Sequence, residues 1–213
     1  AASFVVFVIA SQMRMATVEE GSETQGRGPY PYRTILLCGL IVLIAFMTEA
    51  TVETWSALHI ERTLAGGAAE GALGPAMLGF TMAIGRFGGQ ALSARFQDAH
   101  VIYVGSVLTA IGALTASVAQ APSWAYFGFG ILGLGVSVIG PLGLAQVGRR
   151  VHPSRRTDAI AKAAIMGFAG FFVAPVAMGA LSEAFDLRIA YACVAAFALM
   201  AMPVTWALTR RDS

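Results

Sequence analysis

The chain has 213 residues, of which 57% are hydrophobic and 12% are charged, and its mean hydropathy is +0.70. Soluble globular domains contain roughly 45–50% apolar and 25% charged residues, so a water-soluble fold of this composition would have too little polar surface. The formal net charge of +2 requires no nucleic-acid partner, because cationic loops that face anionic lipid account for it. Composition and charge therefore predict a membrane protein whose main environment is the lipid bilayer.

The first ten residues, 1–10, are apolar but too few to cross a hydrocarbon core of roughly 30 Å. The chain begins with neither Met nor the basic flank of a signal peptide. We therefore expect this segment to be the end of a truncated transmembrane helix, and the polypeptide to be a fragment. Residues 11–34 contain Glu, Gly, Ser and Pro in a composition typical of a flexible linker.

Six longer apolar runs follow, at 35–58, 73–92, 101–119, 124–147, 159–181 and 189–208. Each has about the 17–25 residues that a transmembrane helix needs. Their continuous apolar character favours helices over barrel strands, which are about ten residues long and alternate in polarity. The sequence predicts an all-α membrane protein with a six-helix bundle at 35–208 and a short cytoplasmic tail at 209–213.

Lysine and arginine residues are concentrated in alternate gaps between these runs. Twelve of the 14 fall on one side: Arg14, Arg27, Arg33, Arg86, Arg95, Arg149, Arg150, Arg155, Arg156, Lys162, Arg210 and Arg211. This side includes the turn predicted around Arg86 and Arg95, while the other side holds Arg62 and Arg188. Because short loops rich in Lys and Arg stay in the cytoplasm, we expect the linker and the C-terminus to be cytoplasmic.

Two carboxyl groups in the first full run form the strongest candidate site. Glu49 lies just past the midpoint of the run, and Glu53 lies one turn further outward on the same face. A carboxyl at this depth normally faces the bundle interior or a water-filled cavity and carries an ion, proton or substrate role. The alternative is a neutral carboxyl held by a neighbour's hydrogen bond. Trp55 is either an interfacial aromatic residue or a platform for a sugar-like ligand.

Glycine and proline are frequent in the fourth and fifth runs. The glycines are predicted to let helix backbones approach closely, since packing of small residues drives helix association in lipid. Pro141 and Pro175 each remove one backbone hydrogen bond in mid-span and are predicted to bend their helices. These bends either shape a compact bundle or allow helices to rock during transport.

The remaining chemistry-bearing residues indicate no enzyme. His59, His100 and His152 are assigned to loops and expected to be solvated. Cys38 and Cys193 fall inside apolar runs, where a thiol behaves as a small hydrophobe and offers no metal pattern. Since no dinucleotide fingerprint, phosphate loop, zinc spacing or nucleophile elbow occurs, we predict no catalytic residue, metal or cofactor.

Several segments together resemble one family. The sequence EATVETWSAL at 49–58 resembles the seventh helix of major facilitator superfamily transporters, in a bacterial branch similar to rhizopine-type and fucose-permease-like proteins. That branch has Glu-Gly, two small residues and Asp-Trp-Ser, so Ala50 and Glu53 are mild changes. The sequence GRFGG at 85–89, with Arg95 and Phe96, is similar to the cytoplasmic gate loop between helices eight and nine. Residues 135–175 resemble helices ten and eleven.

The gate loop departs from the family pattern. The family usually has Asp where this sequence has Gln90 and Ala94, and Gly where it has Gln97. In the family those acids pair with loop arginines and hold the inward gate shut. Without them, Arg86 and Arg95 are either a cytoplasmic gate or only determinants of topology.

The resemblance implies a secondary transporter of two six-helix halves that binds a small-molecule substrate between them and works by alternating access. This chain would be the C-terminal half, and its partner would be the missing N-terminal six-helix half in a bacterial inner membrane. Proton coupling through Glu49 is expected, whereas symport, antiport and the substrate stay open among sugars, cyclitols, amino-acid derivatives and drugs. Two alternatives are a complete small transporter that acts as a dimer and a non-transporting membrane scaffold or sensor.

Overall fold

The computed structural model describes residues 31–210, apart from the side chain of Gln90. In this part of the chain all regular structure is helical, as predicted. The elements are α1 (Tyr32–Leu58) with a π-helical continuation (His59–Thr63), α2 (Ala68–Ser93), α3 (Asp98–Val118), α4 (Pro122–Arg150), a 3-10 turn (Pro153–Arg155), α5 (Arg156–Ala184), α6 (Leu187–Leu199) and α7 (Ala201–Thr209). The predicted segment 1–10, residues 11–30 of the predicted linker and residues 211–213 lie outside the described part.

The helices coincide with the six predicted runs and extend past most of their ends. For example, α1 begins at Tyr32, three residues before the run at 35–58, and α4 ends at Arg150, three residues after the run at 124–147. The added residues are often polar or charged, and such residues are tolerated at helix ends, which lie at the interface. Arg149 and Arg150 in the last turn of α4 also interact favourably with the negative end of the helix dipole.

The sixth predicted run is divided into α6 and α7 at Met200. Pro203 has no backbone N–H, so the bond that would reach the carbonyl of Leu199 cannot form. The amide of Met200 instead bonds the carbonyl of Phe197 at 3.0 Å, which tightens the turn. Because Met200 keeps helical dihedrals, the two pieces continue in one direction as a single span.

Five segments among the described residues are long and apolar enough to cross a membrane: Tyr32–Thr63, Asp98–Val118, Pro122–Arg150, Pro153–Ala184 and Leu187–Thr209. Helix α2, the second predicted span, has 26 residues and thus sufficient length, but it is not in this group. Arg86 and the many glycines of α2 lower its mean hydropathy. Among the described residues, α2 is therefore a segment of spanning length that falls outside this group.

Helix α4 lies at the centre of the bundle and packs most extensively against α3. Their backbones meet at Gly105 and Gly112 of α3 and at Gly128 and Gly135 of α4. A Cβ atom on Gly135 would lie 2.5 Å from the carbonyl oxygen of Gly105, and one on Gly128 would lie 2.7 Å from that of Gly112. The prediction that glycines permit close helix approach is confirmed at this glycine seam.

Two arginines tie helix ends together. Arg33 at the start of α1 donates from Nη2 to the carbonyl of Ala207 in α7, at 2.7 Å. Arg188 at the start of α6 donates from Nη1 to the carbonyls of Ser117 and Ala119, at 3.2 and 2.6 Å. Because Ser117 and Ala119 lie at the C-terminal end of α3, the Arg188 guanidinium caps that helix and joins it to α6.

Candidate functional site

Glu49 lies near the middle of α1, and its side chain reaches towards α2. Its Oε1 is 3.8 Å from Nη2 of Arg86, which is an ion-pair distance but too long for a direct hydrogen bond. The side chain of Glu49 is 19% exposed and that of Arg86 is 55% exposed. The neighbouring hydroxyls of Thr48 and Thr51 donate to carbonyls of their own helix. The carboxylate is thus shielded from solvent but only loosely paired.

The position of Arg86 corrects the assignment made from the charge pattern. Arg86 was placed in the turn after the second run, but it lies inside α2, about two turns before the helix ends at Ser93. The carboxylate of Glu49 lies opposite and offsets part of the cost of placing a charge inside the helix. The structure thus brings together two residues that the sequence assigned to different tasks.

A cavity of about 180 Å³ adjoins the Arg86 side chain between α2 and α4. Ser93, Ser137 and Pro141 also line it. Gly85 permits the close approach of the two helices at this point. A Cβ atom on Gly85 would collide with Ser137 and with the carbonyl oxygen of Leu134 in α4. The guanidinium therefore has an open space with two serines on one side and the Glu49 carboxylate on the other.

Glu53 and Trp55 lie further along α1. Glu53 is exposed on the same side of the helix as Glu49, and its charge acts on the Glu49 carboxyl. The Trp55 ring is partly buried and lies beside Gly179 of α5, with its Cζ2 3.8 Å from the point where a Cβ on that glycine would be. Glu53 extends the acidic face, whereas Trp55 contacts a neighbouring helix.

A second ion pair, which the sequence did not predict, lies at one end of the bundle. Arg149 Nη1 in the last turn of α4 is 2.7 Å from Asp98 Oδ2 in the first turn of α3. Asp98 is 7% exposed and Arg149 is 59% exposed. Asp98 directly follows Gln97, the position where the family usually has Gly, and it is close to Ala94, where the family acid is absent. The sequence held one signal for this ion pair: Asp98 is the one acidic residue between the second and third runs.

Arg95, the other predicted gate residue, is exposed in the turn between α2 and α3. Its backbone amide bonds the carbonyl of Leu92 at 3.0 Å. Asp98 is three residues away, but its recorded ion-pair partner is Arg149. The arginine that pairs with an acid at this end is therefore Arg149 and not Arg95.

The prediction that all three histidines are solvated is wrong for His59. This residue is 0% exposed in the π-helical turn. Its Nε2 is 3.0 Å from the carbonyl oxygen of Ala116 in α3, and its ring centroid is 4.9 Å from that of Tyr191 in α6. These contacts offset the cost of burying the ring, and they join three helices. By contrast, His100 and His152 are exposed.

Pro141 and Pro175, predicted to bend helices, lie inside α4 and α5, which are continuous. Their role in bending stays a prediction. A separate interruption occurs before Pro203, a residue that the sequence analysis did not single out. Pro141 is the more closely connected to the site, because it lines the same cavity as Arg86. In the described residues, no group of three His, Cys, Asp or Glu side chains is arranged to hold a metal ion.

Comparison with known proteins agrees with this architecture. Residues 35–213 match the profile of the Major Facilitator Superfamily. An uncharacterized MFS-type transporter of Yersinia pestis is 25% identical over 98% of this chain and 55% of its own length. A membrane protein named MosC of Rhizobium meliloti is 24% identical over 72% of this chain and 37% of its own length. The chain thus spans about half the length of the curated relatives that it matches.

Solved structures with the same fold are transporters. A peptide transporter POT in complex with sulfate superposes with a TM-score of 0.77 at 14% identity, covering 92% of this chain and 41% of that one. A bacterial homologue of the human lysosomal transporter Spinster, in an inward-facing and unoccupied conformation, gives a TM-score of 0.68 at 16% identity, covering 86% and 44%. These likenesses concern the fold alone. With the family match over 35–213, they lead to one conclusion: this chain belongs to the Major Facilitator Superfamily.

Proposed function

We propose that this chain is the C-terminal six-helix half of a secondary active transporter that moves a small solute across the bacterial inner membrane by alternating access, coupled to protons. The observation that carries this proposal is the loose Glu49–Arg86 pair, with 3.8 Å between its charged atoms. Ionisable residues inside membrane spans are costly and normally serve transport or signalling. Here an acid and a base from adjacent helices meet at mid-depth beside an open cavity.

The geometry supports a competition mechanism. When the Glu49 carboxylate is ionised, Arg86 is attracted to it across 3.8 Å. A proton on Glu49 removes that attraction and leaves the guanidinium free to bind a polar or anionic group of the solute in the adjoining cavity. Because proton and solute act on the same pair, each alters the binding of the other, which is the requirement for thermodynamic coupling.

The length of the relatives supports a second half. The Yersinia pestis relative extends well beyond the matched part, since the chain covers 55% of it. Family members bind substrate at the interface between two structurally related repeats. We therefore propose that Glu49, Arg86 and Glu53 form one wall of the substrate cavity and that a further six-helix half supplies the other wall.

The test uses the full-length protein in proteoliposomes loaded with a pH-sensitive dye. A panel of radiolabelled sugars, cyclitols and amino-acid derivatives is screened with and without a proton gradient. For the solute that is transported, Glu49→Gln should abolish gradient-driven accumulation, because an amide cannot release a proton, while counterflow without a gradient persists. Wild-type accumulation by Glu49→Gln contradicts the proton role, and loss of both activities indicates a role in binding or folding instead.

Glu53→Gln is the matched control for this experiment. Glu53 is on the same helix face but is exposed, so its carboxylate is already hydrated and less dependent on a protein partner. We expect a smaller loss of accumulation than in Glu49→Gln. An equal loss in the two variants would assign the effect to the acidic face as a whole.

Topology is a second part of the proposal, with the linker and the C-terminus in the cytoplasm. In a variant without Cys38 and Cys193, single cysteines at Ser22 and Ser213 should resist an impermeant thiol reagent added to intact cells. A cysteine at Gly67, between α1 and α2, should react. Labelling of all three positions from outside would refute this orientation.

The same experiments separate the alternatives. A scaffold or sensor would transport no solute of the panel and would keep its stability when Glu49 is replaced. A complete small transporter would transport after reconstitution of residues 1–213 alone, and cross-linking would show a dimer. The mid-depth position of the Glu49–Arg86 pair favours the half-transporter over both.

A further inference from the structure

A groove runs along the outside of the bundle between α2 and α3, with α4 as its floor. Its volume is about 380 Å³. Both helices pack on α4 but touch each other little, so the space between them stays open. The groove lining is almost entirely apolar and includes Gly88, Leu92, Phe96, Val104, Leu108 and Val138.

The length of this groove corresponds to one leaflet of a bilayer. It begins at the turn between α2 and α3, where Phe96 and His100 line it, and continues along α3 to Leu108. The rise from His100 to Leu108 is about 12 Å in a helix. Half of a hydrocarbon core is about 15 Å, so the groove runs from the interface most of the way to the midplane, as an acyl chain does.

The apolar walls are open to the surroundings. Leu92 is 46% exposed, Phe96 is 58% exposed and Val104 is 59% exposed. A contiguous apolar surface of this kind marks a binding surface or a membrane contact. Glycine at position 88 deepens the groove, because nothing lies within 4 Å of the place where its Cβ would be.

An exposed arginine and a histidine ring lie at the interfacial end of the groove. Arg95 is exposed in the turn that closes this end, and the exposed ring of His100 forms part of the lining. Arg149 lies at the same end of the bundle, where it meets Asp98. An apolar channel one leaflet deep that ends at a cationic arginine and an imidazole N–H donor is complementary to an anionic phospholipid. We propose that this groove binds an anionic phospholipid, with an acyl chain along α2 and α3 and the phosphate at Arg95 and His100.

A second groove in the same bundle serves as an internal comparison. It has a volume of about 240 Å³, lies between α5 and α6 over α1, and includes Thr51, Leu181 and Phe197 in its lining. Within the described part of the chain, none of the residues lining it is charged. This groove should therefore accept acyl chains without preference for the headgroup.

The test is native mass spectrometry of the full-length protein released from nanodiscs that contain equal amounts of phosphatidylcholine and phosphatidylglycerol. The wild-type protein should retain phosphatidylglycerol in preference. Arg95→Gln should reduce this preference about fivefold, the factor expected for one cation near an anionic surface. Arg156→Gln, which removes an exposed arginine at the start of α5, should leave the preference unchanged.

The groove itself is tested with a pair of glycine variants. Gly88→Leu places a side chain in the groove, whereas Gly79→Leu adds the same side chain to the same helix outside it, and neither new Cβ has an atom within 4 Å. Only Gly88→Leu should lose bound phosphatidylglycerol. Unchanged retention in Gly88→Leu, or equal loss in both variants, would overturn the proposal. So would a wild-type dimer that Gly88→Leu dissociates, since the groove would then hold a second copy.

A second readout guards against a variant that does not fold. Phe96→Trp puts a fluorophore on the groove wall with a similar aromatic shape. Brominated phosphatidylglycerol should quench this tryptophan more strongly than brominated phosphatidylcholine, relative to the parent protein. Equal quenching by the two lipids would contradict headgroup selection by Arg95 and His100.

Discussion

Two ion pairs hold α1 to α2 and α3 to α4, and they differ in almost every respect. The Glu49–Arg86 atoms are 3.8 Å apart at mid-depth, while the Asp98–Arg149 atoms are 2.7 Å apart at a helix end. The second pair also benefits from helix dipoles, because Asp98 is in a first turn and Arg149 in a last turn. Glu49 and Arg86 lie within their helices and have no such support. A loose pair can exchange partners, whereas a short and buried one braces the fold.

The largest expected effect breaks the loose pair. Arg86→Gln should reduce transport by roughly 10- to 100-fold. This factor corresponds to the loss of the proposed hydrogen bond from the guanidinium to the solute, which is worth about 1.5–3 kcal/mol. The free energy of unfolding should change by less than about 1 kcal/mol, because a long and half-exposed ion pair adds little stability. Solute uptake and thermal unfolding of the same full-length preparation measure both. A large fall in stability with unchanged transport would reverse the roles assigned to the two pairs.

The next largest effect is expected when the short Asp98–Arg149 pair is broken. The loss of unfolding free energy should depend on which of the two residues is replaced. Arg149→Gln leaves the carboxylate of Asp98 buried without its cation, so it should cost about 2 kcal/mol of unfolding free energy. Asp98→Asn leaves Arg149, which is 59% exposed, and should cost about 1 kcal/mol. Thermal unfolding in detergent shows whether Arg149→Gln is less stable than Asp98→Asn, as expected.

The double variant of Asp98 and Arg149 sharpens this comparison. Since the two side chains are in contact, their effects should not add, and the double variant should be more stable than Arg149→Gln alone. If instead the two losses simply add, the carboxylate and the guanidinium act independently despite the 2.7 Å distance.

The smallest expected effect concerns a cation that caps carbonyls at the opposite end of α3. Arg188→Gln removes the charge-assisted bonds to Ser117 and Ala119 and should destabilise by about 1 kcal/mol, mainly locally. Hydrogen exchange should quicken in the last turn of α3 and remain unchanged near Asp98. Arg188→Lys is the control, and it should retain part of the protection because one donor and the charge remain. Equal exchange at both ends of α3 would contradict a local cap.

The positions of the helices were predictable from the sequence because each helix requires a long apolar run, and hydrophobic length is a local property. Helix α2 was found in the same way, although Arg86 and its glycines make it less apolar than the others. The only sequence signal for the division at Met200 was Pro203. This signal was overlooked because the run is long enough to be one continuous helix. The resemblance to the family also suggested which helix of the family each run corresponds to, and apolar runs alone do not supply this information.

The partners of the charged residues were not predictable, because they depend on how helices cross. Arg86 was assigned to a turn since a lone arginine beside a predicted loop usually lies there, and only the position of Glu49 on the neighbouring helix explains why it does not. His59 was expected in solvent for a similar reason. Its burial depends on a carbonyl of α3 and a ring of α6, which are 57 and 132 positions away in the chain.

The glycine seam between α3 and α4 limits how this bundle can move. At Gly105, Gly112, Gly128 and Gly135 the contact is made by main-chain atoms, which cannot adjust by changing rotamers as side chains do. Sliding one helix along the other would bring Cβ atoms of the flanking residues into the space that the glycines leave. The two helices must therefore be displaced together as one rigid unit, and any rearrangement that opens the cavity has to be absorbed outside this seam.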